Sequence, residues 1–140
     1  MRKIYGFGLL MLLSSMFFGV MTVAQIVTVD NIEYYCYYYD GTAKLMNGKS
    51  ATGDVVIPAE VEYNGRKYSV TTIYYPAFWN NTAITSVNIP ASVNSIGPSV
   101  FGSCTSLTSI TSDADMFEEI GSYPFYSTPG LDHLHAEDGL

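Results

Sequence analysis

The chain has 140 residues, 48% of them hydrophobic, and 13 acidic residues against 6 basic ones, with a pI near 4.5. That length suits about one domain. Its negative field repels phosphate, which argues against nucleic acid and anionic lipid surfaces as partners.

The first element in chain order is a leader. Arg2 and Lys3 precede an uncharged run from Ile4 to Val20, and Thr22-Val23-Ala24 supplies small residues before Gln25. This pattern predicts a signal peptide over 1–24, cut after Ala24. The alternative is a retained membrane anchor, because the apolar run lies near the lower limit of ~17–25 residues for a spanning helix. The cut site has no cysteine, which argues against a lipoprotein anchor. The remaining chain, Gln25 to Leu140, keeps four basic and thirteen acidic residues, a formal charge of −9. Seven of those carboxylates fall from Asp113 onward, where there is no Lys or Arg.

Residues 25–54 are rich in β-branched and aromatic side chains, which favours strand over helix. Ile26–Val29, Ile32–Tyr39 and Thr42–Met46 read as three strands joined by turns at Asp30-Asn31 and Asp40-Gly41. They form an antiparallel meander that can cap an open end of the fold. Alternation along the second strand sets Tyr35, Tyr37 and Tyr39 on one face and Tyr34, Cys36 and Tyr38 on the other. One face can pack on the body. The other can present tyrosines, whose rings and hydroxyls suit protein or glycan contacts.

From residue 55 a repeat takes over. Ile73-Tyr74-Tyr75-Pro76-Ala77-Phe78 aligns with Ile96-Gly97-Pro98-Ser99-Val100-Phe101, Asn81 with Cys104, and Ile84-Thr85-Ser86-Val87 with Leu107-Thr108-Ser109-Ile110, all 23 residues apart. A weaker copy follows 24 residues on, in Ile120-Gly121, Phe125 and Leu131. The expected repeat core is Ile73, Phe78, Ile84, Val87, Ile89, Val93, Ile96, Phe101, Leu107 and Ile110, with Phe78 and Phe101 stacked. Pro76 and Pro98 are expected to open brief helical turns. Upstream, Val56-Ile57-Pro58-Ala59-Glu60-Val61 echoes Asn88-Ile89-Pro90-Ala91-Ser92-Val93, and Asn64-Gly65 signals an inserted hairpin because both residues tolerate positive φ. A period of 20–29 residues is that of leucine-rich repeats, whose coils must stack because none covers its own apolar face.

The run Ile-Gly-x-x-Val-Phe-x-x-Cys-x-x-Leu-x-x-Ile over 96–110, with the preceding Ile-Thr-Ser-Val-x-Ile-Pro-x-Ser-Val-x-Ser-Ile over 84–96, resembles the BspA-type leucine-rich repeat of bacterial surface proteins, notably those of Bacteroidetes. The resemblance covers about residues 55–131. It departs at Tyr74, where glycine is usual, and at Asp113-Ala114-Asp115, where an Ile-Pro segment is expected. It implies a mainly β, right-handed solenoid with parallel strands and about 2.5–3 repeats. It also implies an exported or surface-held protein that adheres to host proteins; the expected function is adhesive or protein–protein binding, with a host matrix protein or, alternatively, a cell-envelope protein as partner.

The tail, 132–140, carries His133 and His135 beside Asp132 and Glu137. These types can ligate a metal, but their spacing is weak support, and no metal or cofactor is expected. Cys36 and Cys104 lie far apart in this architecture, so two separate thiols are favoured over a disulfide that export would permit. No motif holds a nucleophile, base or metal in mutual reach, so catalysis is not expected. The residues expected to meet a ligand are Tyr35, Tyr37, Tyr39, Tyr74, Tyr75 and Trp79. Two other functions stay open: a self-associating envelope module, and a glycan-binding module built on the tyrosines.

Overall fold

The computed structural model describes residues 4–5, 24–113 and 118–131. The strands are β1 (Ile4–Tyr5), β2 (Ala24–Val29), β3 (Ile32–Tyr37), β4 (Thr42–Asn47), β5 (Gly53–Val56), β6 (Glu60–Tyr63), β7 (Arg66–Ile73), β8 (Ile84–Ile89), β9 (Ser95–Ile96), β10 (Ser109–Ser112) and β11 (Glu119–Ile120), followed by a 3-10 turn at Pro129–Leu131. Most of the proposed leader, and the tail with His133 and His135, lie outside the described residues.

Two parallel ladders make up the solenoid. β5, β8 and β10 form one, and Ser109, Ile110, Thr111 and Ser112 sit opposite Ser86, Val87, Asn88 and Ile89, a step of 23 residues. β4, β7, β9 and β11 form the other; Ile73 pairs with Ile96 and Ile96 with Ile120, so the last step is 24. The period read from the sequence is therefore the hydrogen-bond register. The antiparallel pairings are β1 with β2, β2 with β3, β3 with β4, and the hairpin of β6 with β7. That hairpin turns at Asn64 and Gly65 with φ of 50° and 77°.

The core lies between the ladders. Phe78, Phe101 and Phe125 stack along it, with ring centroids 5.4 and 5.8 Å apart and planes within 16° of parallel. Ile73, Phe78, Ile84, Val87, Ile89, Val93, Ile96, Phe101, Leu107 and Ile110 are all buried. The residues after Pro76 and Pro98 differ from the expected helical turns. They are tight non-helical turns with positive φ at Asn80, Ser99 and Ser103. Their amides alternate between bonds three residues back, such as Ala77 N to Tyr74 O and Trp79 N to Pro76 O, and bonds to the next coil, such as Phe78 N to Val100 O, so no helix propagates.

Another buried ladder runs beside the phenylalanines, three residues on. The Asn81 amide donates to the carbonyls of Gly48 and Ala51 at 2.9 Å and accepts from the amides of Ala83 and Ile84 at 2.8 and 3.1 Å. Cys104 donates its thiol to the Phe78 carbonyl at 3.1 Å, and Thr128 its hydroxyl to the Phe101 carbonyl at 2.6 Å. Each side chain thereby adds a second donor to a carbonyl of the preceding coil, Gly48, Phe78 or Phe101, that already accepts a backbone amide.

The backbone hydrogen bonds define one more coil that no sequence motif marks. Phe78 N donates to Val100 O and Phe101 N to Pro124 O; Gly48 N donates in the same way to Ala77 O at 2.7 Å. Ala51 N then bonds Gly48 O as Asn81 N bonds Phe78 O. Gly48 thus stands in the phenylalanine position and Ala51 in the asparagine position. A Cβ on Gly48 would lie 2.3 Å from the Phe78 ring, so the ring fills the space that a side chain there would take.

Candidate functional site

β3 buries Ile32, Tyr34 and Cys36 and leaves Glu33, Tyr35 and Tyr37 half-buried on the outer face of the larger sheet. β4 lies beside it, with Lys44 opposite Tyr35 and, on its other side, opposite Thr72 of β7. The Lys44 ammonium is 5.3 Å from the centroid of the Tyr37 ring and 5.9 Å from that of Tyr74. A cation is attracted to the negative face of each ring, so one lysine ties tyrosines from two strands into a single surface.

Tyr74 reaches this surface because its coil differs from the later ones. Tyr74 N bonds Leu45 O, as Gly97 N bonds Ile73 O and Gly121 N bonds Ile96 O. A Cβ on Gly97 would stand 2.9 Å from Tyr75 N, and one on Gly121 would stand 2.2 Å from Pro98 N. The coil before Tyr74 has two fewer residues between its strand and the turn: Leu45 to Gly48, against Ile73 to Phe78. That shortening leaves room for a side chain. Tyr74 is 48% exposed and Tyr75 beside it is 45% exposed. Trp79 packs edge-on against Tyr75, with centroids 6.3 Å apart, and its ring occupies the space left by the missing side chain of Gly102.

Of the six residues singled out in the sequence, Tyr35, Tyr37 and Tyr74 surround Lys44, and Tyr75 with Trp79 extends the surface. Tyr39 lies elsewhere. It is 64% exposed in the turn after β3 and meets Tyr38 edge-on. Tyr38 carries the Arg66 guanidinium 4.2 Å from its ring centroid, and the Tyr68 ring lies 5.4 Å from the same group. Lys44 and Arg66 escaped the sequence reading. Two cations beside tyrosine runs in an acidic chain were the available signal, but neither pairing follows from chain spacing.

The Asp40 carboxylate acts on this surface through both Tyr37 and Lys44. Burial raises the Tyr37 hydroxyl above its ordinary pKa, and the nearby Asp40 charge adds to the effect. Asp40 is held low because it accepts from the Thr42 hydroxyl and amide at 2.7 and 2.9 Å. On the smaller sheet, Asp54 is held low by the hydroxyls of Ser86 and Thr85. Lys67 is engaged by Glu60 at 3.0 Å. Cys36 and Cys104 are buried free thiols, and burial pushes each up to about 11. Among the described residues, no group of three or more His, Cys, Asp or Glu side chains is arranged to hold a metal. The arrangement suits recognition: large rings with hydroxyl edges, a fixed cation and little side-chain entropy to lose.

The family model of the BspA type leucine rich repeat region (6 copies) matches residues 60–140. A leucine-rich repeat protein of Bacteroides capillosus is 35% identical, with a TM-score of 0.58, over 65% of this chain and 67% of that one. One from Bacteroides ovatus is 31% identical, with a TM-score of 0.63, over 74% of this chain and 27% of that one. A leucine rich cell surface protein of Faecalibacterium prausnitzii is 28% identical, with a TM-score of 0.59, over 71% of this chain and 27% of that one. The chain thus spans about a quarter of the length of the last two. No curated protein matches it. With the 23-residue register, the phenylalanine stack and a family match over more than half its length, the chain belongs to the BspA-type leucine-rich-repeat family.

Proposed function

We propose that the protein is an exported, non-catalytic binding module that meets a protein partner through the Tyr35–Tyr37–Lys44–Tyr74 surface. The observation that carries this reading is the Lys44 ammonium held between the Tyr37 and Tyr74 rings. Tyrosine is enriched among the residues that dominate binding energy at protein interfaces, where rigid rings lose little entropy on contact. Lys44 is also a local positive centre in an acidic molecule, which favours a partner patch with a carboxylate. The solved relative described as a cell surface protein supports a surface location, and the basic and apolar pattern of residues 2–20 supports export.

The division into a leader to residue 24, a β cap over 25–54, repeats over 55–131 and a tail from 132 is part of this proposal. The parallel pairing of β4 with β7 favours a repeat register that starts ahead of 55, near Thr42. Host matrix proteins and cell-envelope proteins are the partners to screen. Exported protein is tested for binding to panels of matrix proteins, envelope proteins and glycans, with Tyr74→Ala and Lys44→Ala as probes. A saturable protein interaction weakened at least tenfold by either substitution supports the reading. Binding only to glycans replaces it with the carbohydrate reading, and binding indifferent to both substitutions refutes the assigned surface.

A further inference from the structure

β2 lies at the outer side of the larger sheet. β1 covers its free edge over two residues only, Ile4 opposite Val29 and Tyr5 opposite Thr28. From Ala24 to Val27 that edge has no strand partner among the described residues. The strand reads Ala-Gln-Ile-Val-Thr-Val, with no charge and no proline, and its pairing with β3 runs without a bulge. Charges, prolines and bulges are the usual devices that keep an edge strand from pairing with another chain. Val27 and Val29 are buried on the inner face, so alternation fixes which side of any added strand faces inward.

We propose that removal of the leader frees the β2 edge, and that a second copy of this chain adds its own β2 there, antiparallel, about a two-fold axis perpendicular to the sheet. This rests on the leader assigned under the proposed function. The β1 pairing is a direct instance of this edge accepting an antiparallel strand. Self-pairing opposes no like charges along β2. It also brings the new amino terminus at Gln25 to the Asp30 end of the other copy. The symmetry leaves both outer faces on the same side of one continuous sheet. Five strand spacings then separate the two β4 strands, about 24 Å along the sheet and less in a straight line, because the sheet curls until the Tyr68 hydroxyl of β7 reaches Gln25 of β2 at 3.4 Å. Two Tyr37–Lys44–Tyr74 surfaces on one face can engage a repetitive or immobilised partner together, raising avidity without a new contact.

The test uses protein recovered after export from cells making the full chain. Intact mass is expected to place its start at Gln25, and light scattering to give twice the chain mass. Thr28→Lys is expected to halve that mass with an unchanged circular dichroism spectrum. Ile26→Cys is expected to join two copies through a short bismaleimide, while Cys36 and Cys104 stay protected by burial. Leader-free protein that runs as a monomer overturns the proposal. So does a dimer that survives Thr28→Lys. If Thr28→Lys does not fold, the cross-link decides: a dimer in which Ile26→Cys fails to cross-link overturns the β2 assignment. A recovered chain that still begins at Met1 overturns the leader reading, and the released edge with it.

Discussion

Truncating Phe101 to alanine probes the stack on which the coils are built. Phe101 is fully buried and lies between two rings, 5.4 Å from Phe78 and 5.8 Å from Phe125. Removing a buried Phe side chain costs ~3–5 kcal/mol through lost transfer energy and the cavity left behind. Each aromatic contact adds ~0.5–1.5 kcal/mol beyond area. With a neighbour on both faces, Phe101→Ala belongs in the upper half of the range, about 4 kcal/mol. Phe125 touches one ring and is only partly buried, so Phe125→Ala is expected to cost about half as much. Urea unfolding followed by circular dichroism reads both. With a slope of ~2 kcal/mol per M, Phe101→Ala lowers the midpoint by about 2 M and Phe125→Ala by about 1 M. Equal shifts, or a Phe101→Ala shift under ~0.5 M, would refute a stack centred on Phe101.

The same assay tests the hidden coil. Asn81→Ala strips the Ala51 carbonyl and the amides of Ala83 and Ile84 of their side-chain partner, removes one of two donors from the Gly48 carbonyl, and is expected to cost ~2–4 kcal/mol. A cost under ~1 kcal/mol would mean that water reaches those groups. Gly48→Ala drives a Cβ into the Phe78 ring and is expected to destabilise by ~1–3 kcal/mol, measured as a fall in urea midpoint. The thiols give a pH signature. Both cysteines have folded pKa values raised from 9.0 to about 11 by burial, so the unfolded chain loses its thiol protons first. Their stabilising contribution is full below pH 9 and is lost as pH rises through about 11. The melting temperature should therefore fall over that window, and by less in a Cys36→Ala/Cys104→Ala double variant measured against its own neutral-pH value.

The repeat was legible because it leaves periodic chemistry in the chain. Offsets of 23 between Ile73 and Ile96 and of 24 between Ile96 and Ile120 are the offsets of the strand pairings. Asn64-Gly65 and Asp30-Asn31 announced their turns because both pairs adopt positive φ. The alternation of Tyr34, Cys36 and their neighbours separated the inner from the outer face of β3. The coil begun by β4 was not legible. It carries Gly48 where later coils carry Phe, and it is two residues shorter, so no motif marks it. The β4–β7 pairing that defines it spans the inserted hairpin.

The candidate site was half legible for a related reason. Composition pointed to the tyrosines, but their grouping depends on which strands become neighbours. Tyr37 and Tyr74 are brought together only because β4 lies between β3 and β7, and Lys44 is the residue that β4 places there. Tyr39 fell away from the surface because β3 ends at Tyr37 and the turn redirects the chain. Tyr74, an exception to the repeat's own pattern, became the most informative of the six.

The most direct measurement is a titration of the exported protein and its Tyr74→Ala variant against the strongest protein partner from the binding panel. Melting temperatures confirm that both are folded. Saturable binding by the parent and at least tenfold weaker binding by the variant, at an unchanged melting temperature, are expected. Equal affinity in the two proteins, or no protein bound from the whole panel, would contradict the assigned surface.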